Sequence, residues 1–253
     1  MTMRRRKNFF IWLAALVFAA PVVVTIAMSF RFGSAIITVR QFWELLITNN
    51  AILRHFWVSA LYASVITVIC VTISLPLGVL FAKMRFRGKD ALFFVYILVM
   101  MLPFQATLLP NFIQLRDLDL IGSPSAIILP MIFSPFAVFL FRQFIKGIPD
   151  ELLEYTLLET KSVFRMLWHI IIPQAKPAII TLSVLIFCES WNIVEQALLF
   201  LPDNLGFMPL SVMLSQLPEN VAFAGATMYM VPIIAVFFLF RDYLQRVMIK
   251  FRW

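Results

Sequence analysis

The chain has 253 residues, 62% hydrophobic and only 13% charged, against about 25% charged in an ordinary soluble domain. That excludes a large soluble domain and predicts an integral membrane protein that spends nearly all its length on spans. The formal net charge of +8 would suit a nucleic-acid binder, but its placement along the chain argues for topology instead.

Six apolar runs are long enough to cross a bilayer, which takes about 20 residues. The first, Asn8–Phe30, carries no charge. A basic start before an apolar run also begins a secretory signal, but a signal has an apolar core of about 7–15 residues and a small-residue cleavage site. This run is longer and ends in Ala-Met-Ser-Phe-Arg, so a retained first helix is expected. The loop Arg31–Arg54 follows, and its Phe42-Trp43-Glu44-Leu45-Leu46 predicts a short interfacial helix. Run two is His55–Ala82, closed by the basic turn Lys83–Asp90. Run three is Ala91–Leu115 and run four Leu120–Phe141. Run five, Pro177–Leu201, is interrupted by Glu189 and Glu195, and run six is Asn220–Phe240. Pro21, Pro76, Pro103, Pro110, Pro130, Pro135 and Pro232 fall inside these runs. Transmembrane helices tolerate them where neighbours satisfy the freed carbonyls.

An even number of spans puts both termini on one side. That side holds 17 of the Lys and Arg residues and the other only four: Arg31, Arg40, Arg54 and Arg116. Basic residues collect on the cytoplasmic side, so both termini are expected inside. The split also accounts for the net charge without nucleic acid.

Between runs four and five lies the longest soluble-looking segment, Gly147–Pro177. Pro149 can open a helix, with Asp150 and Glu151 in the first turn to complement its dipole. Leu152, Leu153, Leu157 and Leu158 recur at helical spacing, with Glu154, Glu159 and Lys161 between them. Pro173 and Pro177 are expected to close the segment, because Pro breaks a helix interior. Two readings fit this amphipathic piece: a helix that docks into a partner, or one lying on the membrane surface.

Run five is the one apolar run with carboxylates inside it, and such groups face protein or water rather than lipid. On one continuous helix at about 100° per residue, Glu189, Asn192, Glu195 and Gln196 share an arc of roughly 120°, with Trp191 beside it. Amide, carboxylate and indole together suit sugar recognition, with hydroxyls on the polar groups and a ring face on Trp191. The same arc also fits a polar seam gluing this helix to another. Near the outer surface Glu195 carries little cost in either reading.

The chemistry of a stand-alone enzyme is missing. None of the seven glycines builds a G-x-x-x-x-G-K-[ST] phosphate loop. His55 and His169 lack ligand partners at metal spacing and are expected near the membrane surface. No nucleophile–base arrangement and no metal cluster is found. Cys70 and Cys188 sit far apart in apolar runs and read as buried thiols. No catalytic residue, cofactor site or metal site is expected.

The segment Gly147–Pro177 resembles the EAA loop of bacterial ABC importer permeases, roughly E-A-A-x-x-D-G-A and later I-x-L-P-x-x-x-P. Glu154 stands for the leading Glu, Tyr155 and Thr156 for the two Ala, Glu159 for the Asp and Thr160 for the Gly. Ile170, Ile172, Pro173 and Pro177 fill the later positions. Thr160 departs from the pattern, since a β-branched residue resists the tight turn Gly allows. The stretch MMLPFQATLLPNFIQL, with Pro103, Gln105 and Pro110, is similar to the third helix of maltose-type sugar permeases. IGSPSAIILP and PFAVFLFRQFIKGIPDELLE continue the likeness, as does Trp191-Asn192, where the family reads W-N-D; Ile193 and Val194 depart from it. The resemblance covers about residues 55 to 240 and weakens at Gln245–Trp253, where the family has a Gly-rich tail.

The resemblance implies an all-α integral membrane protein with six transmembrane helices, the type I ABC importer permease fold, over one domain, 1–253. It implies a coupling helix over 147–177 in which Leu153, Glu154, Leu157, Leu158, Glu159 and Thr160 meet an ATPase subunit. It implies two ATP-binding subunits holding ATP and Mg, a second permease making a heterodimer, and an extracytoplasmic substrate-binding protein facing Leu201–Glu219. That loop also reads as an amphipathic lid on the bundle. The implied setting is the lipid bilayer of a bacterial or archaeal inner membrane. The implied activity is ATP-driven import of a sugar or oligosaccharide. A non-sugar solute (polyamine, phosphonate or peptide) is the first alternative, and the two carboxylates suit a cation. A self-contained secondary transporter or channel fits less well, because no internal repeat is evident.

Overall fold

The computed structural model describes residues 2–31, 37–48, 51–152, 162–202 and 204–250, except the side chains of 2–9, 11, 48, 51, 163 and 246–250. Five helical segments are long and apolar enough to cross a membrane, and a sixth crossing forms if one bent pair counts as a single span.

Helix α1 (Thr2–Ser29) keeps its apolar side chains outward, with only 6% of its Trp12–Ser29 stretch buried. A short α2 (Arg40–Trp43) and a π-helical turn (Glu44–Thr48) follow where the interfacial helix was expected. Buried Gln41 ties three elements together. Its Nε2 donates to the carbonyls of Met28 and Arg31, and its Oε1 accepts from the Ala224 amide at 3.2 Å.

Helix α3 (Ala51–Lys83) is the central pillar, 44% buried along its span. It packs on α7 (Pro135–Lys146) and on α9 (Ile172–Trp191). The crossing with α7 is close: a Cβ on Gly78 would stand 2.5 Å from the Phe141 Cβ. Tyr62, Ile66, Cys70, Phe141, Ile145, Leu182 and Phe200 belong to the main buried core along this pillar.

Several spans depart from the continuous helices expected. Run three is two helices, α4 (Lys89–Met100) and α5 (Phe104–Asp117), bent by 96° at Met101–Pro103. Pro103 donates no hydrogen bond and pushes Leu102 away from helix geometry. Run four starts later, as α6 (Pro124–Met131), and breaks over Ile132–Ser134. It resumes as α7, where Ser134 Oγ caps the Ala137 amide at 3.2 Å. Run five begins earlier than expected. Helix α8 (Val163–Met166) passes through a π-helical turn (Leu167–Ile171) straight into α9. Pro173 and Pro177 therefore do not close the inner segment. Pro173 follows directly on the π-turn, which absorbs the rung of the ladder its missing N–H cannot make.

Run five also ends early, and Glu195 lies on a separate helix, α10 (Glu195–Phe200). Asn192 competes for the ladder: its Nδ2 donates to the Cys188 carbonyl at 2.6 Å. Ser211 Oγ takes the Ile193 carbonyl. The outer segment continues through α11 (Leu210–Met213) to the long α12 (Glu219–Lys250), which packs on α1, α2 and α9.

His55 is buried, and its Nδ1 donates to the Met208 carbonyl at 2.8 Å. His169 is exposed, 3.1 Å from the Arg165 carbonyl.

Candidate functional site: a cleft at the helix breaks

The three helix breaks meet in one region. A cavity of about 470 Å³ is lined by Phe104, Thr107 and Asn111 of α5, Ser134 and Pro135 at the start of α7, and Ile186, Glu189 and Ser190 of α9. A second, of about 360 Å³, is lined by Gln105, Asn192, Glu195 and Val194. Both include Phe104, Met131, Glu189 and Gln196, so they form one cleft. Irregular backbone at membrane depth persists only where protein buries it or where it lines a cavity.

Four of the five predicted path residues line this cleft: Glu189, Asn192, Glu195 and Gln196. They do so from two helices and the link between them, not from one helical arc. Among the described residues, the side chains of Glu189, Glu195, Gln196, Gln105 and Asn111 make no hydrogen bond or ion pair within the chain. Their polar atoms are left for water or a ligand. Asn192 is different: its Oδ1 accepts from the Tyr229 hydroxyl at 2.6 Å.

The fifth, Trp191, is fully buried and lines neither cavity. Phe56 meets it edge-on at 5.5 Å, Phe187 stacks at 5.9 Å, and its Nε1 donates to the Tyr229 carbonyl at 3.2 Å. A ring enclosed in this way offers no face to a sugar; it anchors the end of α9. Gln105, Thr107, Asn111 and Ser190 are cleft residues that sequence reasoning missed. Pro103 and Pro110 were the available signal, because proline-interrupted apolar segments point to binding sites in transporters.

The predicted ATPase contacts, Leu153, Glu154, Leu157, Leu158, Glu159 and Thr160, lie outside the described residues. The approach to them is described. Helical backbone begins at Asp150, after Pro149. Lys83, with a side chain 9% exposed, ion-pairs with Asp150 at 2.6 Å and donates to the Ile148 carbonyl. That hydrogen bond and the ammonium charge hold the Asp150 carboxyl below its usual value. Arg142 Nε donates to the Phe81 carbonyl at 3.2 Å, and its guanidinium lies 3.8 Å from the Phe93 ring centroid. The ends of α3, α4 and α7 are thereby bolted together where the inner segment departs.

On the opposite side, Leu201–Glu219 packs onto the bundle. Tyr62 donates to the Phe207 carbonyl at 3.1 Å, Ser59 Oγ accepts from the Leu210 amide at 2.8 Å, and Asn204 donates to the Gly122 carbonyl at 3.0 Å. The lid reading of this loop describes its geometry within the chain.

A broken-helix bundle around a polar cleft is the build of a multi-pass membrane permease. Residues 74–250 match the model of the binding-protein-dependent transport system inner membrane component family, and the chain belongs to that family. Its members are inner-membrane components of ABC importers that work with ATPase and substrate-binding partners. The arabinooligosaccharides transport system permease protein of Halalkalibacterium halodurans is 30% identical over 192 residues, covering 74% of this chain and 67% of that protein. Its Bacillus subtilis counterpart is 31% identical over 195 residues, 75% of this chain and 69% of that one. The sn-glycerol-3-phosphate transport system permease protein of Yersinia pestis is 33% identical over 134 residues, 53% of this chain and 48% of that one. The fold is also similar to a chain in the crystal structure of a bacterial ABC transporter involved in import of the acidic polysaccharide alginate. The TM-score is 0.84 at 20% identity, over 95% of this chain and 96% of that one; at that identity the likeness is one of fold.

Proposed function

We propose that this chain is one of two permease subunits of an ATP-driven importer that carries a sugar or oligosaccharide into the cytoplasm. The observation that carries the reading is the cleft, where polar side chains without protein partners collect at helix breaks inside an apolar bundle. Identity to two arabinooligosaccharide permeases over about two thirds of their length supports a sugar. A cationic non-sugar solute is the second reading, favoured by Glu189 and Glu195.

In this proposal both termini are cytoplasmic, in line with the 17-to-4 distribution of basic residues. A second, different permease completes the pore. The apolar surface that α1 leaves uncovered within the chain fits lipid and such a partner. Two ATP-binding subunits hold ATP and Mg and receive Leu153–Thr160, while this chain contributes no catalytic residue and no cofactor. An extracytoplasmic binding protein delivers substrate over the Leu201–Glu219 loop.

The test is uptake into proteoliposomes containing the co-purified complex. Uptake of an arabino-oligosaccharide should require both the binding protein and ATP on the cytoplasmic face. Uptake that persists without ATP or the ATPase subunits would point to a secondary transporter and end this reading.

A further inference from the structure

We infer that the cleft selects its solute by charge, admitting neutral or cationic polyhydroxylated solutes and rejecting anionic ones. This rests on the cleft being the substrate path. Among the described residues, the only formally charged side chains lining its two cavities are Glu189 and Glu195, and no Lys, Arg or His lines either one. Neither carboxylate is ion-paired among the described residues. When ionised, their oxygens only accept hydrogen bonds, so they call for hydroxyl or ammonium donors.

Independent support comes from Ser190. The residue lines the larger cavity and is 2% exposed, and its buried Oγ has no hydrogen-bond partner. A buried hydroxyl without a partner is costly, and a hydroxylated ligand in the cleft relieves that cost. Gln105, Asn111 and Gln196 add groups that both donate and accept, as neutral sugar hydroxyls do. An anionic solute would meet two carboxylates and, among the described residues, no cation, in surroundings where repulsion is stronger than in water. The phosphate and acidic-polysaccharide substrates in the names of two matched transporters are therefore not expected here.

The charge of the cleft can be read without knowing the substrate. In the assembled transporter, with Cys70→Ser and Cys188→Ser, a reporter cysteine is placed at Gln105→Cys. Its labelling rates by a cationic and an anionic methanethiosulfonate of similar size are compared, each relative to a free thiol. A one-sign cleft raises local counter-ion concentration, so the cation should be favoured at least about tenfold. The preference should fall toward parity in E189Q/E195Q. The single variant E195Q, altered at an exposed position, should show an intermediate ratio if the double variant does not assemble. Parity with both carboxylates present overturns the charge inference and leaves the path reading standing. A reporter that neither reagent reaches from either face overturns both.

Discussion

The Tyr229 hydroxyl lies 2.6 Å from Asn192 Oδ1 and 3.3 Å from the Trp191 carbonyl, while the Trp191 indole donates back to the Tyr229 carbonyl at 3.2 Å. Helix α9 ends here, and the last carbonyls of a helix have no partner within it. The middle of α12 supplies one. The exchange fixes where α9 stops, and so holds Glu189 and Asn192 at the cleft wall.

Trp191 and Tyr229 should therefore separate by stability. Removing a buried Trp costs about 3–5 kcal/mol in protein cores. Loss of one interhelical hydrogen bond in a membrane averages only about 0.6 kcal/mol. Trp191→Ala should sharply lower the melting temperature or yield of the purified complex, and Tyr229→Phe should barely move either. If Trp191→Ala melts like wild type and loses only uptake, Trp191 serves the substrate and the anchoring role is wrong.

Asn192→Ala, Glu189→Gln and Gln105→Ala should each weaken uptake while the complex still assembles. A hydrogen bond is worth about 0.5–1.5 kcal/mol, so apparent affinity should fall a few-fold to about tenfold per site. Initial uptake rates across substrate concentrations provide the measurement, with subunit stoichiometry as the control. Loss of assembly would mean that these groups glue helices together.

The Lys83–Asp150 pair predicts a pH dependence. Because the Asp150 pKa is lowered on folding, its contribution is complete above the ordinary carboxylate value of about 3.9. That contribution is lost as pH falls through the lowered value. Asp150→Asn should thus melt below wild type at neutral pH, leaving the enclosed Lys83 ammonium with the Ile148 carbonyl alone. The gap should close in strong acid. A gap that does not change with pH would show that the loss is one of packing.

The inner segment should matter for coupling and not for insertion. In the docking proposal Leu157 enters a groove on the ATPase subunit, with Glu154 at its rim. Truncating one partner of a desolvated charged pair costs about 2–5 kcal/mol, and a rim pair far less. Leu157→Asp or Glu154→Lys should release the ATPase subunits or uncouple hydrolysis from uptake, and a change at Glu159 should do less. Co-purification of the ATPase with each variant tests this. Wild-type levels of both for Leu157→Asp would leave the segment as a membrane-surface helix.

The helical membrane character of this chain was legible from composition and run length alone. Burying apolar side chains in lipid depends on how many there are in a row, and that is a local property. The family resemblance was carried in the same local way, by Glu154, Pro103, Pro110, Pro173 and their spacing. What each proline does was not legible. Pro103 produces a 96° bend, whereas Pro173 and Pro177 sit inside a continuous helical segment. The outcome turns on whether a neighbour or a π-turn satisfies the freed carbonyls. The cleft lay further out of reach. Glu189 and Gln196 line it from two separate helices because Asn192, Tyr229 and Ser211 stop α9 where a single-helix reading would continue it. Gln105 and Asn111 join them only through the break in α4–α5, and Ser134 only through the break in α6–α7. Trp191 marks the limit of residue type as a guide: an indole suits a sugar face or a packed core equally well, and Phe56, Phe187 and Tyr229 closing around it decided the second.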